Sequence, residues 1–404
     1  MDTKELQKIV NPIYTTAKGT VLMLNLAGDP DAQKLVPHLD LSEVTGGSRK
    51  TPPEITRCYA AAQEARYGLN NEAVLRSGMP VVVDIPCGYS PRGFRVIRNG
   101  QKYFGFDLPV VIDEMKAAAA EVERSDDLVY AAVDATNYES LRSALGDVKG
   151  ELCIVTEGLL GYFSESELVS MCRAVHRLLS EFGGCWITSD SGITAIYALT
   201  FGVLLQGDLS AFHSVVRGHA SRMADVEINK NSLFLNGPEG GRAFLKSQGF
   251  DVKAEPVSNY LPELRMVSEE DARKLAESYK QMEIWTMTVD RTAGQPSQEN
   301  IMDLPFRVES ELKDGVFSVS IQGRMDTITA PELLKQFQEA EGEVSAIRVD
   351  VSRMAYVSSA GLRVLLMMYK SLKNKDNFEM TGVSDDVREI LETTGFDQFL
   401  LPEK

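Results

Sequence analysis

Histidine, cysteine and tryptophan are scarce in this sequence: four, five and two residues among 404. The histidines form no metal-ligand cluster, so no metal is expected. The five cysteines (Cys58, Cys87, Cys153, Cys172, Cys185) are odd in number and show no CxxC spacing. That pattern argues against a disulfide framework and for reduced thiols in a cytoplasmic protein. Long apolar runs are also missing. The longest uncharged apolar stretch, residues 191–207, is broken by glycines and short for a bilayer; it reads as a buried helix or a lid over a site. The amino terminus, MDTKELQKIV, lacks the apolar segment of a signal peptide. No basic stripe occurs, and the net charge is −16. Residues 302–404 hold 12 Lys and Arg against 18 Asp and Glu, so the acidity is shared by both parts of the chain. Nucleic acid and membrane are therefore not expected as partners.

What is present is length and rhythm. A chain of 404 residues exceeds what one hydrophobic core usually supports. Residues 291–300, RTAGQPSQEN, are polar and carry Gly and Pro without apolar periodicity, as a linker does. The expected division is a first domain over 1–290, a linker over 291–301 and a second domain over 302–404. Before the linker, strand and helix patterns alternate: strands over 79–85, 102–108, 128–133, 151–156 and 184–189, with helices over 111–124, 138–145 and 165–182 between them. The continuous apolar run MPVVVDI suits a strand buried on both faces. This βαβα order predicts an α/β, Rossmann-like, doubly wound parallel sheet. Further strands over 250–257 and 284–289 flank a helix over 269–281. After the linker, a hairpin around Lys313-Asp314-Gly315 and helices over 330–339, 360–373 and 385–393 predict a second, small α/β domain.

The segment Val82-Val83-Asp84-Ile85-Pro86-Cys87-Gly88, followed by Phe106-Asp107, has the order of an adenosine-cofactor site. A strand ends in a Gly turn, and an acidic residue at the end of the next strand can hold ribose hydroxyls. A dinucleotide site wants GxGxxG; Pro86 stands where a glycine would, which disfavours NAD. A plain β-turn without ligand is the alternative. Cys87 has no histidine near it in sequence and reads as loop packing rather than as a nucleophile.

More of the first domain resembles the leucine carboxyl methyltransferases and their bacterial small-molecule relatives. The residues concerned are Lys18 with Gly28-Asp29-Pro30, TPPEI with Arg57, Tyr59 and Arg66, YFGFDLP over 103–109, and TEGLLGYF over 156–163. The resemblance spans roughly residues 14–290 and implies a class I methyltransferase fold with S-adenosylmethionine as cofactor. It implies Lys18 and Arg66 on the methionine carboxylate and Gly88 beneath the cofactor. Asp107 would bind the ribose, Asp134 the adenine amine, and Glu157 would lie near the methionine amine; Asp84 and Leu108 complete the set. The chemistry agrees, since such a cofactor calls for cations and several acceptors. Asp134 could otherwise cap the following helix. The family's usual Gly-Ala-Gly-x-Asp-Thr loop is replaced here by Pro86-Cys87-Gly88-Tyr89-Ser90-Pro91. The acceptor is expected to be a carboxylate or hydroxyl on a small molecule or protein. Residues 191–236 would select it, with His213, His219 or Tyr197 as candidate bases for a hydroxyl. A protein that senses S-adenosylmethionine without turnover is the alternative.

In the second domain, Gly323-Arg324-Met325-Asp326, Asp350-Val351-Ser352 and the run Tyr356 to Leu365 (YVSSAGLRVL) resemble a STAS domain of bacterial anti-sigma-factor antagonists. The resemblance covers about residues 304–402 and implies phosphorylation of Ser359 by an anti-sigma-type serine kinase. Ser359 is expected at a helix N-terminus, with the amides of Gly361 and Leu362 near the phosphate.

Overall fold

The structure is a computed structural model that describes residues 3–10, 14–45, 51–207, 210, 233, 237–289 and 305–401. The expected linker, His213 and His219 lie outside these residues. Two compact units form: residues 13–296, and residues 1–12 together with 297–404.

The larger unit is built on seven strands: β1 Val81–Asp84, β2 Lys102–Asp107, β3 Leu128–Ala132, β4 Leu152–Thr156, β5 Gly184–Thr188, β6 Phe250–Pro256 and β7 Glu283–Val289. Their order across the sheet is β3-β2-β1-β4-β5-β7-β6. The first five run parallel, and β7 is inserted antiparallel between β5 and β6. That is the expected α/β, Rossmann-like, doubly wound arrangement, with one antiparallel strand. β1 and β4 are buried along their whole length, which suits their apolar runs up to Asp84 and Thr156. The chain leaves β1 toward β2 on one side and resumes at β4 on the other. The carboxyl ends of β1 and β4 therefore flank a topological switch point, where open α/β sheets leave a crevice.

Apolar clusters cover both faces of this sheet. The longest helix, Pro53–Ser77, begins with Pro at its first turn and ends at Gly78, whose φ of 67° suits a left-handed cap. Sixteen of its residues are buried. Ser164 and Glu167 form a reciprocal capping box that starts the helix Glu165–Phe182. The stretch expected as a helix or lid becomes the helix Ile193–Leu204, packed against Pro53–Ser77.

The smaller unit has four strands, β8 Arg307–Lys313, β9 Val316–Met325, β10 Ala346–Val357 and β11 Phe378–Thr381, in the order β11-β10-β9-β8. The β8–β9 turn falls at Asp314 and Gly315, with φ of 50° and 78°, as a tight hairpin requires. β10 is long because two register shifts carry it past Ser352 to Val357.

One helix departs from the expected domain 1–290. Thr3–Val10 places Leu6, Ile9 and Val10 on one stripe, and these join the apolar cluster of the smaller unit. It packs on the helices Ala330–Ala340 and Ser359–Ser371. The amino terminus thus belongs to the carboxy-terminal core, because its apolar stripe finds cover there.

Candidate functional site

At the carboxyl end of β1, Asp84 is fully buried and accepts from Arg92 Nη1 at 2.7 Å and from the Tyr103 hydroxyl at 2.8 Å. Arg92 also reaches Glu157 Oε2, just past β4, at 2.5 Å. Glu157 Oε1 accepts from Arg66 Nε at 2.7 Å. The result is a line of alternating charges, Arg66–Glu157–Arg92–Asp84, spanning the ends of β1 and β4. Burial pushes the Asp84 carboxyl up to about 6 despite Arg92. Burial also works against charge on Glu157, but Arg66 and Arg92 together hold it below the usual carboxylate range.

Asp107, at the end of β2, accepts the Gly88 amide on Oδ2 and the Leu108 amide on Oδ1, each at 2.7 Å. Burial raises it to about 6, against the two amides. Gly88 has φ of 50°, and a Cβ there would meet the Ala17 methyl at 3.2 Å. Only glycine fits the loop at this point. The helix Tyr14–Leu26 therefore lies against the loop, and Thr16 on it hydrogen-bonds Tyr162.

Lys18 is buried beside this loop, over the Tyr89 ring at 5.4 Å. Its Nζ donates to the Asp40 carbonyl at 2.5 Å and lies 3.0 Å from Glu114 Oε2. Lys18 and Arg66, expected to share one carboxylate, are each held by separate acidic partners. Asp134 accepts from the Thr136 amide and hydroxyl, both at 2.8 Å. It does not cap the following helix; Asn137 does, accepting from Glu139 and Ser140.

Two neighbours of this cluster, Asp190 and Arg92, carried no recognisable sequence signal. Asp190 accepts the amides of Gly158, Leu159 and Leu160 at 2.7–2.9 Å and so fixes the turn after β4. Arg92 is 2% exposed, although nothing in its sequence context separates it from a surface arginine. Tyr197 donates to Gln63 Oε1 at 2.7 Å, and its ring lies 5.9 Å from that of Tyr59. Burial pushes the Tyr197 phenol up, so it stays protonated. Cys87 is buried, and that burial raises its thiol well above the ordinary value, consistent with a packing role.

In the smaller unit, Ser358 is 2% exposed, and its Oγ accepts the Gly361 amide at 3.3 Å. It is the N-cap of the helix Ser359–Ser371. The Leu362 amide donates to the Ser358 carbonyl at 2.9 Å. Both amides expected near a phosphate are thus already engaged in the cap and the first helical turn. Ser359 is the first helical residue and is half-buried. A Cβ on Gly361 would meet the Met325 carbonyl at 2.8 Å, so the turn packs directly on the end of β9. Four residues past Ser359, Arg363 donates from Nη1 to the Val10 carbonyl at 2.6 Å.

Comparison with known proteins divides along the same line. Residues 308–402 match the family model described as "Mlab, STAS domain". The putative anti-sigma factor antagonist BtrV of Bordetella bronchiseptica is 33% identical over 86 residues, covering 20% of this chain and 73% of that protein. An anti-sigma-B factor antagonist of Listeria monocytogenes is 28% identical over 103 residues, covering 24% of this chain and 88% of its own length. The larger unit has its likenesses among solved structures. Human N-acetylserotonin methyltransferase in complex with S-adenosylmethionine is 13% identical, with a TM-score of 0.33, covering 66% of this chain and 70% of that one. An O-methyltransferase family protein from Burkholderia thailandensis is 11% identical, with a TM-score of 0.36, covering 68% and 73%. Through its carboxy-terminal residues the chain belongs to the STAS family.

Proposed function

We propose that this STAS-family chain binds S-adenosylmethionine at the ends of β1, β2 and β4, transfers its methyl group to an oxygen acceptor, and is switched at Ser359. One observation carries the reading: the Gly88 loop, Asp107 and the Arg66–Glu157 pair converge at the switch point of the sheet. The residues suit the cofactor. The glycine loop allows close backbone approach, Asp107 and Asp134 offer carboxylates to the adenosine, and Lys18 and Arg66 offer cations to its amino-acid end. Asp84, through Arg92, holds Glu157 in place rather than touching the ligand, and Leu108 lies beside the ribose acceptor.

The bound cofactor would supply an activated methyl group; the chain's part is positioning. Arg66 would turn its remaining N–H groups toward a carboxylate while Glu157 keeps the guanidinium in register. Tyr197, kept protonated by burial, gives its one hydroxyl proton to Gln63 Oε1 and does not serve as a base. That supports an acceptor already anionic at neutral pH, a carboxylate, which needs no proton removed. The anti-sigma-type kinase proposed for Ser359 would act on the exposed part of that residue, with Ser358 withdrawn into the cap.

A sensor that binds without turnover is the second reading. It is favoured by the Pro86-Cys87 loop and by the Ala17 methyl set against Gly88. Calorimetry with S-adenosylmethionine, followed by turnover of labelled cofactor with carboxylate and hydroxyl acceptors, separates the two. Micromolar binding with turnover supports the enzyme, binding alone the sensor, and no binding removes both.

A further inference from the structure

We propose that the helix Thr3–Val10 is a strap held on the STAS domain by Arg363, and that a phosphate on Ser359 takes Arg363 and releases it. The inference rests on the Ser359 reading above and extends it to a residue and an element that the reading does not use. Two observations lead there.

The first is where a phosphate's charge would go. Its oxygens need donors, and the amides of Gly361 and Leu362 are engaged by Ser358. Residues 359 and 363 are four apart on one helix and so face the same way. The Arg363 guanidinium is the cation at hand. It can meet a phosphate with two parallel charge-assisted bonds, whereas the Val10 carbonyl offers one neutral acceptor. Phosphate wins that exchange.

The second is what Arg363 now does. Val10 is the last residue of its helix, so its carbonyl is one of the orphan acceptors every helix end leaves. Arg363 satisfies it at 2.6 Å, and the positive charge sits at the negative end of the helix dipole. Eight residues make a helix too short to persist alone. Leu6, Ile9 and Val10 supply its packing and Arg363 its end contact. Removing the second therefore loosens the whole element.

Amide hydrogen exchange on the full chain tests the strap. Arg363→Gln and Ser359→Glu should each speed exchange of amides 3–10 by about tenfold, with β9 still protected and Ser359→Ala matching wild type. Wild-type protection of amides 3–10 in both altered proteins overturns the proposal, as does Ser359→Ala behaving like the glutamate. If Arg363→Gln also exposes β9, Arg363→Lys, which keeps a donor for the carbonyl, decides. Retained protection there upholds the contact, and lost protection overturns it.

Discussion

The two units hold their functional groups in opposite ways. In the larger one, Arg66, Glu157, Arg92, Asp84 and Asp107 are buried and already joined to one another or to backbone amides. In the smaller one, a half-buried serine stands at the head of a helix with a single arginine four residues on. A ligand at the proposed cofactor site would have to fit into an existing charge balance. A phosphate on Ser359, as proposed, would create a charge where the local balance is a capped helix and one guanidinium. The first arrangement favours precise placement, and the second favours switching.

The largest expected effect breaks the balance of the larger unit. Arg92→Met leaves Asp84 without its guanidinium partner and Glu157 with one of two. Breaking a buried ionic network typically costs about 3–5 kcal/mol. Denaturant unfolding should show the larger unit's transition moving by that order while the STAS transition stays. A shift below about 1 kcal/mol would mean that the network is wetter than its burial implies.

Next in size, Asp107→Ala removes two amide acceptors and the proposed ribose partner. A charge-assisted hydrogen bond contributes roughly 1.5–3 kcal/mol, so S-adenosylmethionine affinity should fall by about tenfold or more. Calorimetry with an unchanged affinity would remove Asp107 from the site.

A smaller effect appears with pH, and its sign differs between stability and binding. Burial raises Asp84 and Asp107 to about 6 in the folded protein, above the ordinary 3.8. The native state therefore takes up protons before the unfolded chain does. The stability these groups contribute is full below about 3.8 and is lost as pH rises through 6. Lowering pH from 7 to 5 should stabilise the larger unit by about 1 kcal/mol per group. Cofactor affinity should weaken over the same interval, because protonated Asp107 is a poorer acceptor. Asp107→Asn should flatten the affinity profile near pH 6; a profile with the same inflection would assign it to another group.

Much of this was legible in the sequence, for physical reasons that particular residues illustrate. The apolar run before Asp84 and the strand–helix alternation that follows it are local signals, and they placed β1 and the helix Glu165–Phe182 closely. Gly88 and Asp107 were readable because a turn glycine and a strand-end carboxylate announce themselves by position. Arg92 and Asp190 were not. Their roles arise from partners 65 and 30–32 residues away, which only the folded sheet brings near. The strap was missed for a related reason. The stripe Leu6, Ile9 and Val10 predicts an amphipathic helix, but nothing in it says which of two cores it covers. The expectation that Gly361 and Leu362 would serve a phosphate failed because the N-cap at Ser358 had a prior use for them.

The smallest expected effect separates the two adjacent serines. Ser358→Ala deletes the side chain that accepts the Gly361 amide and leaves that donor in a turn packed against Met325. Loss of a serine N-cap typically costs about 1 kcal/mol. Ser359→Ala removes a half-buried hydroxyl at the first helical position, where alanine is a good helix former, so the change should be within about 0.5 kcal/mol. Urea unfolding of the STAS transition should thus rank wild type and Ser359→Ala together, with Ser358→Ala below them. The order matters for the switch. If the cap resides in Ser358, a modification at Ser359 leaves the helix start intact and its charge acts outward, on Arg363 and on a partner. Equal losses at both positions would mean that the two hydroxyls share the cap. A phosphate on Ser359 would then act first on the helix itself, and the division of labour between the serines would fail.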